Sequence, residues 1–123
     1  MSKLGKISAV GLVMAGLSGN AAFAHPELQS AEPAAGSAAT TSPQQIRITF
    51  SEAVIPQFSG VELKDQSGKP IATGKAAADP ANRNVLVVPI GEPLPSGNYR
   101  VQWHAVGEDT HRVKGSYSFS VGR

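Results

Sequence analysis

The chain has 123 residues, eleven of them basic and nine acidic, and no cysteine. That length suits a single small domain, and the lack of thiols excludes disulfide stapling and thiolate metal ligands. Two of the basic residues, Lys3 and Lys6, sit in the first 24 positions. Without them nine basic side chains face nine acidic ones, and no basic cluster suited to nucleic acid remains.

Those first positions read as a secretory signal. Lys3 and Lys6 give a positive start, Ile7 to Leu17 is apolar but diluted by Ser and Gly, and Ala22-Phe23-Ala24 is a small-x-small cut site. The apolar run falls short of the about 20 residues that a membrane-spanning helix needs. The division expected is therefore 1–24 as signal peptide and 25–123 as the mature domain, starting at His25-Pro26. Both methionines, Met1 and Met14, lie in the signal, so the mature stretch contains no sulfur.

Beyond the cut site, Ala31 to Pro43 is rich in Ala, Ser, Thr, Gly and Pro and reads as a loop or irregular arm. Alternation of period two then takes over, the mark of half-buried strands. Ile46, Ile48 and Phe50 alternate with Arg47 and Thr49, and Val61 and Leu63 follow Ser59-Gly60. Asp65 to Lys69 is a turn, and Ile71 opens a short strand. Asp79-Pro80-Ala81-Asn82 breaks the chain before Leu86, Val88 and Ile90 share one face. After the Pro93–Asn98 loop, Tyr99, Val101 and Trp103 alternate with Arg100, Gln102 and His104. Tyr117, Phe119 and Val121 end the pattern. No segment has helical period, and the turn spacing predicts an all-β sandwich of about seven strands.

Histidine is scarce enough for its placement to be read. His104 alternates with Trp103, so a core tryptophan turns this histidine outward to solvent. Asp109-Thr110-His111 is more pointed, because in an extended segment residues two apart address one point. Taken alone, that triplet reads better as a polar turn between two strands, with a solvated acid and imidazole.

His25 adds to it. After cleavage, its α-amine and imidazole Nδ1 close a six-membered chelate. Pro26 has no N–H, so it removes the second backbone amide from use as a ligand. A third nitrogen must come from elsewhere, and His111 is the obvious donor, with Asp109 beside it. Three nitrogens and an oxygen in a tetragonal array suit Cu(II), whereas Cu(I) prefers soft sulfur. Binding of this kind falls on acidification, because the amine (about 8) and imidazoles (about 6.5) must lose protons first. Glu52 continues the Ile46, Ile48, Phe50 face and is either an outer or supporting carboxylate for the metal or a rim residue with no metal role.

Taken together, His25-Pro26 after the signal, "EPAAGS", "ITFSEAV", "YRVQWHAVGEDTH" and "VKGSYSFSV" resemble the CopC family of periplasmic copper-resistance proteins across essentially the whole mature chain. The resemblance implies a small Greek-key β-sandwich, Ig-like or cupredoxin-like, that binds one Cu(II) at one end. It implies a metal site of His25, Asp109 and His111, with Glu52 in the place of a family glutamate. A separate Cu(I) site in a methionine-rich loop is not expected, since Lys64 to Pro80 contains neither Met nor His. The implied role is copper storage, buffering or hand-over in the periplasm, by a monomer, to a CopD-like inner-membrane protein. The competing readings are a copper-dependent oxidase or monooxygenase using the same amino-terminal chelate, and a sandwich module whose first histidine is incidental.

Overall fold

The computed structural model describes residues 26–122, so the signal and His25 lie outside the described residues. Nine strands run in chain order: β1 (Leu28–Glu32), β2 (Ala38–Ala39), β3 (Gln45–Phe50), β4 (Gly60–Asp65), β5 (Pro70–Ile71), β6 (Ala77–Asp79), β7 (Asn82–Pro89), β8 (Gly97–Val106) and β9 (Arg112–Val121). A single 3-10 turn, Pro56–Phe58, is the one helical element among the described residues. No helix there is long and apolar enough to cross a membrane.

The strands form two sheets, ordered β1-β3-β7-β6 and β2-β9-β8-β4-β5. Neighbours such as β3 and β7, or β4 and β8, are not consecutive in sequence, so the chain crosses repeatedly between sheets in a Greek-key sandwich. The expected alternation is what faces the sheets together. Ile46, Ile48 and Phe50 from β3 are fully buried, and they meet Leu63 of β4, Leu86 and Val88 of β7 and Val101 of β8. Each such side chain contributes roughly 1.5–3 kcal/mol by leaving water. Phe50 also meets Trp103 edge to face at 5.3 Å, and Tyr99 stacks on Phe119 at 5.6 Å.

Two expectations need correction. The strand count is nine, not about seven, because β2 and β6 are only two or three residues long and too short to show any alternation, and β1 lacks it. The arm from Ala31 to Pro43 is partly paired, not loop throughout. Ala31 and Glu32 belong to β1, antiparallel to β3, and Ala38 and Ala39 run parallel to the end of β9.

One buried polar group ties the turn to the ladder. The Ser59 hydroxyl donates to the Ile55 carbonyl at 2.7 Å and accepts the Val106 N–H at 3.1 Å, while Ile55 N–H donates back to the Val106 carbonyl at 2.8 Å. Ser59→Ala should leave the Val106 N–H unpaired, while the Ile55 carbonyl keeps the Phe58 N–H at 3.1 Å, and cost about 1–3 kcal/mol, read as a lower urea midpoint with an unchanged slope. A midpoint equal to that of the parent would show that the hydroxyl is not needed there.

Candidate metal centre

β8 and β9 pair over their whole length, from Gly97↔Val121 to Val106↔Arg112, so residues 107–111 form the loop at one end of the sandwich. Gly107 N–H donates to the His111 carbonyl at 3.2 Å and Thr110 N–H to the Gly107 carbonyl at 2.9 Å, which closes the loop on itself. Thr110 sits at φ 70, a left-handed conformation that a β-branched residue rarely adopts. The segment is therefore the polar turn that the triplet alone suggested, not the extended segment on which the two-apart argument rested.

Asp109 and His111 meet all the same, for a different reason. The Asp109 carboxylate accepts the His111 N–H through Oδ1 at 3.0 Å and lies 3.0 Å from His111 Nδ1 through Oδ2. A carboxylate paired to Nδ1 fixes the ring's orientation and favours the tautomer with its lone pair on Nε2. Both residues are exposed.

Two neighbouring segments hold this loop. Val54, buried in the crossing from β3 to β4, forms a bridge with Gly107, and its N–H donates to the Arg83 carbonyl at 3.3 Å. Arg83 reaches across to Glu108 at 2.6 Å, an exposed pair worth at most about 1 kcal/mol. On another side lies Pro26, fully buried at the start of the described chain. A Cβ built on Gly107 would come within 2.9 Å of Pro26 Cδ and 3.0 Å of its Cγ, so only glycine lets the proline seat there. Glu27 N–H then donates to Ser51 Oγ at 2.9 Å, and Ser51 N–H to the Glu27 carbonyl at 2.8 Å.

Of the residues expected in a metal site, the structure thus brings Asp109 and His111 together. His25 falls outside the described residues, but its neighbour Pro26 packs against the same loop. Glu52 lies just past the end of β3, half-buried, and among the described residues no group of three or more His, Asp or Glu side chains gathers. Gly107 and Ser51 escaped the sequence reading. Neither a glycine nor a serine at a strand end carries a distinguishing signal.

His104 faces outward as expected, yet it is half-buried, with its ring against Gly60 of β4. Burial pushes its pKa below the ordinary 6.5; the Arg112 charge adds to this and Glu62 opposes it. The folded state therefore favours the neutral ring. That contribution is in place above about pH 6.5 and is lost as pH falls through the lowered folded value. An NMR titration should place the His104 midpoint below 6.5; a midpoint above it would mean that Glu62 outweighs burial.

Fold and loop together define a small all-β sandwich carrying a carboxylate-oriented histidine at one end. The chain belongs to the CopC family: the CopC domain model matches residues 28–122. Copper resistance protein C of Escherichia coli is 40% identical over 130 aligned residues, covering 98% of this chain and 99% of that one. Copper resistance protein C of Xanthomonas campestris pv. juglandis is 38% identical, covering 89% and 90%. The crystal structure of PcoC, a methionine-rich copper resistance protein from Escherichia coli, superposes with a TM-score of 0.73 at 42% identity, over 80% of this chain and all of that one.

The Pro26 contact gives a test of its own. Gly107→Ala should unseat the proline at a cost of about 1–3 kcal/mol while the rest of the sandwich stays folded. Hydrogen exchange would report it as lost protection at the Glu27 and Ser51 amides. Unchanged protection there would show that the arm is held independently of Gly107.

Proposed function

We propose that the chain, cut after Ala24, holds one Cu(II) in the periplasm through the amine and Nδ1 of His25 and through His111. It serves copper homeostasis or resistance without catalytic turnover, as a monomer, and passes the metal to a CopD-like inner-membrane protein. The observation that carries this reading is the burial of Pro26 against Gly107. It brings the chain, one residue after His25, to the loop on which Asp109 aligns the His111 imidazole.

In this reading each part has its own work. Nε2 of His111 supplies the third nitrogen, and Asp109 orients the ring while offering an oxygen nearby. Glu52 stands as a carboxylate at the rim of the same end. With no sulfur after Met14, the donors are nitrogen and oxygen, which hold the cupric ion better than the cuprous one. Reduction is then the natural release step. A binding role also suits the surface: among the described residues Phe58 is the one large hydrophobic side chain that is strongly exposed, and no aromatic platform for a polymer substrate accompanies it there.

The test is Cu(II) titration with electron paramagnetic resonance on protein starting at His25, beside a sample carrying one extra residue in front. One tight copper with a nitrogen-rich tetragonal spectrum is expected for the first and is lost or remodelled in the second. Asp109→Asn should weaken binding by about 10–100-fold, and ascorbate with a cuprous chelator should strip the metal. Equal, weak uptake by both samples would overturn the reading. Copper-dependent peroxide formation above the free-metal background would favour the oxidase.

A further inference from the structure

The outer flank of β9 carries a second feature that metal binding does not use. In a strand paired on one side, alternate residues point their backbone groups to the other side. Here the Ser118 carbonyl accepts the Gly36 N–H at 2.7 Å and Ser120 N–H donates to the Ser37 carbonyl at 2.9 Å, so the even-numbered residues of β9 face away from β8. β2 and the turn before it cover that edge only from Ser118 onward, since β2 pairs with Ser120 and Val121. Among the described residues, no strand pairs with the same edge from Arg112 to Ser116.

The other sheet edges differ. β5 and β6 are two and three residues long, and β1 is broken by a register shift between Leu28 and Ser30. The β9 stretch is regular, extended and charged. Arg112 and Lys114 are exposed, lie on the outer face beside Val106 and His104 of β8, and take part in no ion pair among the described residues.

We propose that this edge is a docking strand for an acidic extended segment of another protein, which adds to the five-stranded sheet by backbone pairing at Arg112, Lys114 and Ser116. Main-chain hydrogen bonds supply the affinity of such strand addition, and the alternate side chains supply its selectivity. A second copy of this chain is a poor occupant, because it would set Arg112 and Lys114 against their own counterparts. Glutamate or aspartate at alternate positions would lie beside these cations instead, and the charge would speed the encounter. The surface stands whether or not the loop next to it binds copper. Because Arg112 follows His111 directly, a docked segment would end beside that loop.

The chain carries its own reporter. Trp103, its single tryptophan, lies over Gly115 so closely that a Cβ there would fall 2.6 Å from the indole. The probe is a short synthetic peptide alternating glutamate and valine, titrated into the metal-free protein and followed by Trp103 emission and amide shifts. Saturable, salt-sensitive binding is expected, with shifts centred on Lys114 and Ser116. Arg112→Glu with Lys114→Glu should weaken it at least about tenfold, with dispersed amide spectra confirming the fold. Ser116→Pro should also abolish it, since it removes an N–H that β8 does not use. The proposal falls if a control peptide alternating lysine and valine binds as well, or if the shifts map to another edge. It also falls if either variant binds normally, or if phosphatidylglycerol vesicles elicit the response and the peptide does not.

Discussion

The ten-residue ladder between β8 and β9 is the constraint on which the rest of this structure depends. Its register fixes where the connecting loop falls, and so puts Asp109 and His111 at the end of the sandwich. The same register opposes Trp103 to Gly115, which makes room for the indole against the β9 backbone and lets it reach Phe50 in the other sheet. It also decides which backbone groups of β9 point outward. A one-residue slip would reverse every one of these assignments, because side chains alternate faces with period two. The buried residues at Tyr99, Val101, Ala105, Phe119 and Val121 are what forbid that slip.

The second organising contact joins segments far apart in sequence. Pro26 rests on Gly107 and Glu27 is paired to Ser51, so the start of the domain is fastened both to the β8–β9 loop and to the end of β3. For the chelate proposed at His25, this means that most of the ordering cost is met before a metal arrives. Proline serves twice in that account. It withholds a backbone nitrogen from the metal, and its ring fills a space that only a glycine partner leaves open. The left-handed Thr110 belongs to the same economy of placement. A tight turn lets one carboxylate grip both the backbone and the ring of His111.

How much of this could be read from the sequence follows from the range of each interaction. β3, β7, β8 and β9 were legible because each is long enough for alternation to show. β2 and β6 were not, since two or three residues have no period and owe their pairing to the strands they meet, whereas β5 showed only through Ile71 after the Asp65–Lys69 turn. β1 was hidden in an arm whose "LQSAE" lacks alternation and whose composition suggested a loop. Asp109 and His111 were paired by a spacing argument that assumed an extended chain, whereas the turn the motif also suggested is what actually joins them. Gly107 left no mark in the motif, because its importance lies in a proline 81 positions earlier. His104 was assigned to the right face, but its ring rests against Gly60 and feels the Arg112 charge, and both come from neighbouring strands.

Net charge shows the same limit more sharply. Nine basic and nine acidic side chains after residue 24 suggest a molecule with no electrostatic preference. Strand parity sorts them otherwise. Lys64, Arg100, Arg112 and Lys114 fall on the outer face of the five-stranded sheet with Glu62 as the only acid among them, while Glu108 and Asp109 lie in the β8–β9 loop and Glu27 and Glu52 lie at or next to the Glu27–Ser51 pairing. A sum near zero thus conceals both the end proposed to hold a cation and the flank proposed to dock an acidic segment. The two adjoin at the peptide between His111 and Arg112. Neither depends on long-range charge, which salt would screen beyond roughly 10 Å. Each depends on hydrogen-bonded backbone, in the turn at Thr110 and along the edge of β9, to hold its charged groups in place.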